Sequence, residues 1–73
     1  MTIEELFKKI TEENTEDNVY QEVDDAYKEQ GRGEAENLTL RNLIHQNGGE
    51  NMSVDDYSEL FNQLAEHYNL NMQ

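Results

Sequence analysis

From Met52 to Leu70 the chain repeats apolar side chains at three- and four-residue intervals: Val54, Tyr57, Phe61, Leu64, Ala65 and Tyr68. That spacing matches the turn of an α-helix and not the alternation of a strand, so the segment must bury one stripe against other elements. The opposite face holds Asp55, Asp56, Glu59, Asn62 and Glu66, and the stretch from Ser53 to Gln73 contains no Lys or Arg. This helix is therefore expected to be apolar on one side and purely acidic on the other. Ser53 is its expected N-cap, with Asp56 three residues on, and Met52 and Tyr57 are spaced for a hydrophobic staple. Asn71-Met72-Gln73 lies past the stripe and is expected to fray.

Three further segments follow the same logic. Thr2 and Glu5 have the spacing of a capping box, Met1 and Leu6 that of a staple, and Ile3, Leu6, Phe7 and Ile10 form one face that ends before Asn14. Glu4 with Lys8 and Glu5 with Lys9 can pair along this helix, each pair contributing ~0.2–0.5 kcal/mol, so its charge is balanced. Thr15 caps the next segment, whose stripe is Val19, Tyr20, Val23, Ala26 and Tyr27 and whose end falls at Gly31. There Glu16, Asp17, Glu22, Asp24, Asp25 and Glu29 face only Lys28. Glu22, Asp25 and Glu29 share one exposed face at spacings where like charges repel.

Gly31-Arg32-Gly33 reads as a turn between the halves of the chain, and without a following Lys-Ser/Thr it is no phosphate-binding loop. The third apolar stripe is Ala35, Leu38, Leu40, Leu43 and Ile44. It predicts a helix beginning at Asn37 or Thr39, the latter with Leu38 and Leu43 as its staple, and stopping at Asn47-Gly48-Gly49. Leu38-Thr39-Leu40-Arg41 also alternates like a short strand, but a lone strand would have no partner in so helical a chain.

With 73 residues, 34% of them apolar, no Trp and a mean hydropathy of -1.06, the chain has material for one small core. The expected fold is all-α, a compact bundle of three to four short amphipathic helices in a single domain. Homodimerisation would add stability to so small a core by mass action. The absence of Cys removes disulfides and thiolate chemistry. No run is apolar enough for a membrane span or a signal peptide, and a cytoplasmic location is expected.

Little in the sequence suggests catalysis or cofactor binding. His45 and His67 have no second His or any Cys nearby, so a transition-metal site would need carboxylates gathered by the fold. His45 near a helix end suits the helix dipole. The residues from His45 to Asp56 are faintly like a calcium loop, through Asn47, Gly49, Met52, Ser53 and Asp56. However, His45, Glu50 and Asp56 stand where the first ligand, the turn glycine and the terminal Glu belong. Exposed carboxylates on a polar face lack a route to the raised pKa that acid catalysis needs. No enzyme, cofactor or metal site is expected.

What remains is the charge. Seventeen acids against five bases give a net charge of -12, which repels nucleic acid and anionic membrane. Residues 1–30 hold ten acids and three bases, residues 31–50 three and two, and residues 51–73 four and none. The excess thus sits on the second and last helices. Acidity serves solubility in many small domains, but solubility does not require two rows without counter-charge. The expected partner is a basic, nucleic-acid-binding protein, met through Glu22, Asp25, Glu29, Asp55, Glu59 and Glu66. If they lie on one side of the bundle, two carboxylate rows would imitate a phosphate backbone, as inhibitors of phages and mobile elements do in function; nine Asn and five Gln fit an A/T-rich coding genome. The alternative is a helical adaptor, regulator or immunity-type protein whose partner docks in an apolar groove of Tyr20, Tyr27, Tyr57 or Tyr68.

Overall fold

The computed structural model describes residues 2–31 and 33–70, with the side chain of Gln30 outside that description. Four α-helices follow one another: α1 (Ile3–Glu13), α2 (Glu16–Gln30), α3 (Glu34–Gln46) and α4 (Val54–His67), with a 3₁₀ turn at Gly49–Asn51 before α4. No strand occurs among the described residues. The Cα radius of gyration is 11.5 Å, close to the value of about 11 Å expected for a compact chain of this length. No helix among the described residues is long and apolar enough to cross a membrane.

Each helix start is fixed locally. Thr2 Oγ1 accepts from Glu5 N at 3.1 Å while Glu5 Oε1 accepts from Thr2 N at 3.3 Å, completing the capping box. That carboxylate also accepts from Thr2 Oγ1, so Glu5 serves the cap. The hydroxyls of Thr15 and Ser53 accept from Asn18 N and Asp56 N, both at 3.2 Å, as their sequence positions predict. Two helix ends share a device that periodicity does not reveal. Asn14 and Asn47 donate their side-chain amides to the carbonyls of Ile10 and Leu43, four residues back, at 2.9 and 2.7 Å. The Leu43 carbonyl is one that the Asn47 backbone N–H passes over for Ile44 O, whereas the Ile10 carbonyl also accepts from Asn14 N at 3.0 Å. The proposed Met1 staple and the fraying of residues 71–73 lie outside the described residues.

The start of α3 corrects the sequence reading. The helix begins at Glu34, not at Asn37 or Thr39, and Thr39 lies in its interior as a buried residue. Gly31 and Gly33 both take φ of 86°, a region open to glycine, so the chain reverses within three residues and α3 can start at once. Glu36 Oε2 accepts from Gly33 N at 3.1 Å, closing the new N-terminus. Leu38 and Leu43 do not staple it: Leu43 is in the core, and Leu38 is half-buried at a groove edge.

α2 lies along α3 as a helical hairpin, while α4 packs on α1 and α3, and α1 also meets α3. The core therefore has α3 at its centre. Ala35, Leu40 and Ile44 of α3 are fully buried, as are Ile10 of α1 and Leu60 and Leu64 of α4. Here α4 differs from expectation. Val54, the first residue of the expected stripe, is 82% exposed, whereas Leu60, outside that stripe, is completely buried. At about 100° per residue Leu60 lies some 40° from Leu64, whereas Val54, about 20° from the buried Ala65, is exposed because it opens the helix, in a first turn that buries no residue. Tyr27 likewise leaves the expected stripe of α2 and is 45% exposed.

Candidate functional site: two acidic rows

Glu22, Asp25 and Glu29 are all exposed on α2. They border one groove, about 340 Å³ in volume, between α2 and α3. Its other wall is α3, through Leu38, Thr39, Asn42 and Gln46, and Ala26 of α2 forms part of the floor. The three acids are thus gathered into one concave surface, as their spacing predicts.

Asp55, Glu59 and Glu66 are also exposed, along the outer face of α4, but they are not gathered in the same way. Glu66 borders a separate, shallower groove with Phe7, Gln63 and His67. Glu59 Oε1 is 3.5 Å from the donating Nε2 of Gln63. Asp55 stands in the first turn of α4, where the positive end of the helix dipole favours a carboxylate whatever its other role. α2 packs mainly on α3 and α4 on α1 and α3, so the two rows belong to helices that share little packing.

Helix polarity separates these acids further. Glu29 and Glu66 lie in the last turns of α2 and α4, where the carbonyl end of the helix disfavours negative charge. α1 ends in the same way, with Glu12 and Glu13 and no base in its last turn. Acid at a C-terminal turn is therefore a habit of this chain, shared by the helix that the sequence reading takes as balanced.

The tyrosines divide between interior and surface. Tyr68 is buried, and its hydroxyl donates to Asn14 O at 2.6 Å, which removes it from any docking surface. Tyr20 donates to Tyr68 O at 2.6 Å, and the Tyr57 hydroxyl lies 3.2 Å from His45 Nε2. Tyr27 is the most exposed large aromatic among the described residues.

The loop from His45 to Asp56 uses its polar atoms on helix ends. Asn47 caps α3, Ser53 caps α4, and Met52 packs against the core. His67 meets Phe7 and Tyr68 edge-on, at centroid distances of 5.3 and 4.9 Å. Among the described residues no three His, Cys, Asp or Glu side chains are grouped to hold a metal ion.

No family model, curated protein or solved structure matches this chain.

Proposed function

We propose that this protein is an acidic inhibitor or modulator that occupies the basic surface of a nucleic-acid-binding protein, in the manner of a DNA or RNA mimic. The observation that supports this reading most is the exposure of both carboxylate rows, Glu22-Asp25-Glu29 and Asp55-Glu59-Glu66, on a chain of net charge -12. Side chains three or four residues apart on a helix are separated by about 4.5–6 Å along its axis, against 3.4 Å per phosphate along one strand of B-DNA. The longest dimension of the protein, 33 Å, covers about ten base-pair steps. Such a surface competes with nucleic acid for Lys and Arg rather than reading a sequence. A phage or mobile element would have use for it in the cytoplasm of its host.

The test is a pull-down from host lysate at low and high salt, followed by charge reversal at Glu22, Asp25, Asp55 and Glu59. Binding is expected to fall steeply between 0.1 and 1 M salt, as the screening length shortens from about 10 to 3 Å. The reversed variant is expected to lose the partner while keeping its helical circular dichroism. Unchanged binding by that variant would overturn the reading. Binding that survives high salt but fails on Tyr27→Ala would favour the adaptor alternative.

A further inference from the structure

We propose that Asn47 is a self-modification site: the fold holds back deamidation of the Asn47-Gly48 pair, and local opening of the turn before α4 releases it. Asn is a chemically labile residue, and of the nine Asn in this chain only Asn47 is followed by Gly. Glycine has no Cβ to crowd its backbone nitrogen, so that nitrogen can attack Cγ of the side chain before it. The reaction needs only water. Gly48 N gives up its proton to solvent and bonds to Asn47 Cγ; the Cγ–Nδ2 bond breaks, and Nδ2 takes up a proton and leaves as ammonia. Water then opens the five-membered imide at either carbonyl, which restores the Gly48 N–H and leaves an aspartate or isoaspartate at position 47.

Three features of the fold oppose the first step. Ring closure needs Gly48 N eclipsed with Cβ of Asn47 about the Cα–C bond, whereas a ψ of 12° at Asn47 eclipses it with the Asn47 backbone nitrogen instead. The Gly48 N–H donates to His45 O at 3.1 Å, and Asn47 Nδ2 donates to Leu43 O at 2.7 Å. The attacking and the leaving nitrogen are thus both held. Gly49, the next residue, is buried against Ile44, which anchors the turn to the core. Reaction therefore waits on local opening, a motion that costs less than global unfolding where backbone is exposed, as at Gly48. The product cannot restore the cap. A carboxylate has no proton to donate to Leu43 O and puts negative charge at the carbonyl end of α3. Isoaspartate also lengthens the backbone where Gly49 packs on Ile44. A turn that has reacted while open stays altered.

The test holds the full chain at mildly alkaline pH, native and in urea, and follows aspartate and isoaspartate at each Asn by peptide mapping. In urea, position 47 is expected to convert before any other Asn. The native protein should convert there at least about tenfold more slowly, the factor that an opening free energy of about 1.4 kcal/mol gives. Gly49→Ala, whose Cβ meets Ile44 Cγ2, should speed native conversion about tenfold and leave the rate in urea unchanged. Tyr68→Phe removes a hydrogen bond at the far end of α4 and should leave the native rate unchanged. Asn47→Asp reproduces one product and is expected to melt about 4–8 °C below wild type. Equal rates at position 47 in native protein and in urea, or an Asn47 that outlasts other Asn in urea, would overturn the proposal. So would equal acceleration by Tyr68→Phe and Gly49→Ala, or an Asn47→Asp variant that melts no lower than wild type.

Discussion

The phenol of Tyr68 donates to the backbone carbonyl of Asn14 across 54 positions of sequence, at 2.6 Å. The carbonyl of Tyr68 in turn accepts from Tyr20, so one residue at the end of α4 ties down the α1–α2 junction. Tyr68→Phe keeps the ring and loses the hydroxyl bond; it is expected to cost about 1 kcal/mol in urea denaturation. Tyr68→Ala removes a fully buried ring and is expected to cost about 3–5 kcal/mol, enough to unfold a domain this small.

The same hydroxyl makes alkaline stability predictable. Burial raises the Tyr68 pKa above its ordinary value, and the negative charge of Glu16 raises it further. Above about pH 10 the unfolded chain releases this proton while the folded chain retains it, so unfolding becomes more favourable as pH rises. The contribution is fully present below that pH and is lost as pH climbs through the folded-state pKa. Thermal melts between pH 9 and 11 should fall more steeply for the wild type than for Tyr68→Phe. Parallel curves would show that the Tyr68 phenol titrates alike in the folded and unfolded chain.

Leu60 and Val54 give a sharper comparison because the expected stripe included the exposed Val54 and left out the buried Leu60. Leu60→Ala is expected to cost about 2–5 kcal/mol as a buried cavity, and Val54→Ser less than about 0.5 kcal/mol as a surface change. Chemical denaturation of the two variants decides it.

Caps, turn glycines and apolar intervals act over a few residues, which is why three of the four helix starts and the all-α class were legible. Tertiary contacts decided the rest. The helix pattern of α4 admitted several neighbouring meridians, and packing on α1 and α3 selected the one through Leu60 and Leu64. Thr39 looked like a cap because nothing local revealed that Gly33 and Glu36 would start α3 earlier. For the site, the grouping of Glu22, Asp25 and Glu29 was legible as a one-helix spacing. Their opposition to Asn42 and Gln46 was not, since it depends on how the hairpin closes.

Gly49 tests close packing at the turn before α4. A Cβ there would run into Ile44 Cγ2 and stand 3.1 Å from Ile44 O and 3.3 Å from Met52 Sδ. Ile44 is fully buried and cannot move aside freely, so Gly49→Ala is expected to cost about 1–3 kcal/mol. Gly48 has φ of 88° with no atom within 4 Å of its missing Cβ. Its constraint is conformational, and Asn tolerates that region better than Ala does. Gly48→Asn should therefore melt above Gly48→Ala, whereas no small side chain should rescue position 49.

Glu29 should separate stability from binding. It lies four residues after Asp25, a like charge at repulsive spacing, and in the last turn of α2, where the helix dipole disfavours a carboxylate. Glu29→Lys replaces that repulsion with an acid-to-lysine pair in the favourable order and puts a cation at the carbonyl end. At low salt it is expected to stabilise the domain by about 1 kcal/mol, a rise in Tm of about 4–8 °C. The gain should shrink in 0.5 M NaCl, where these interactions are screened. If the acidic row meets a basic partner, the same substitution should weaken that binding, a gain in stability set against a loss of function. A Glu29→Lys variant that melts lower than wild type at low salt would mean that the native fold itself holds this carboxylate in place. The case for the row as a surface kept for a partner would then lose its physical basis.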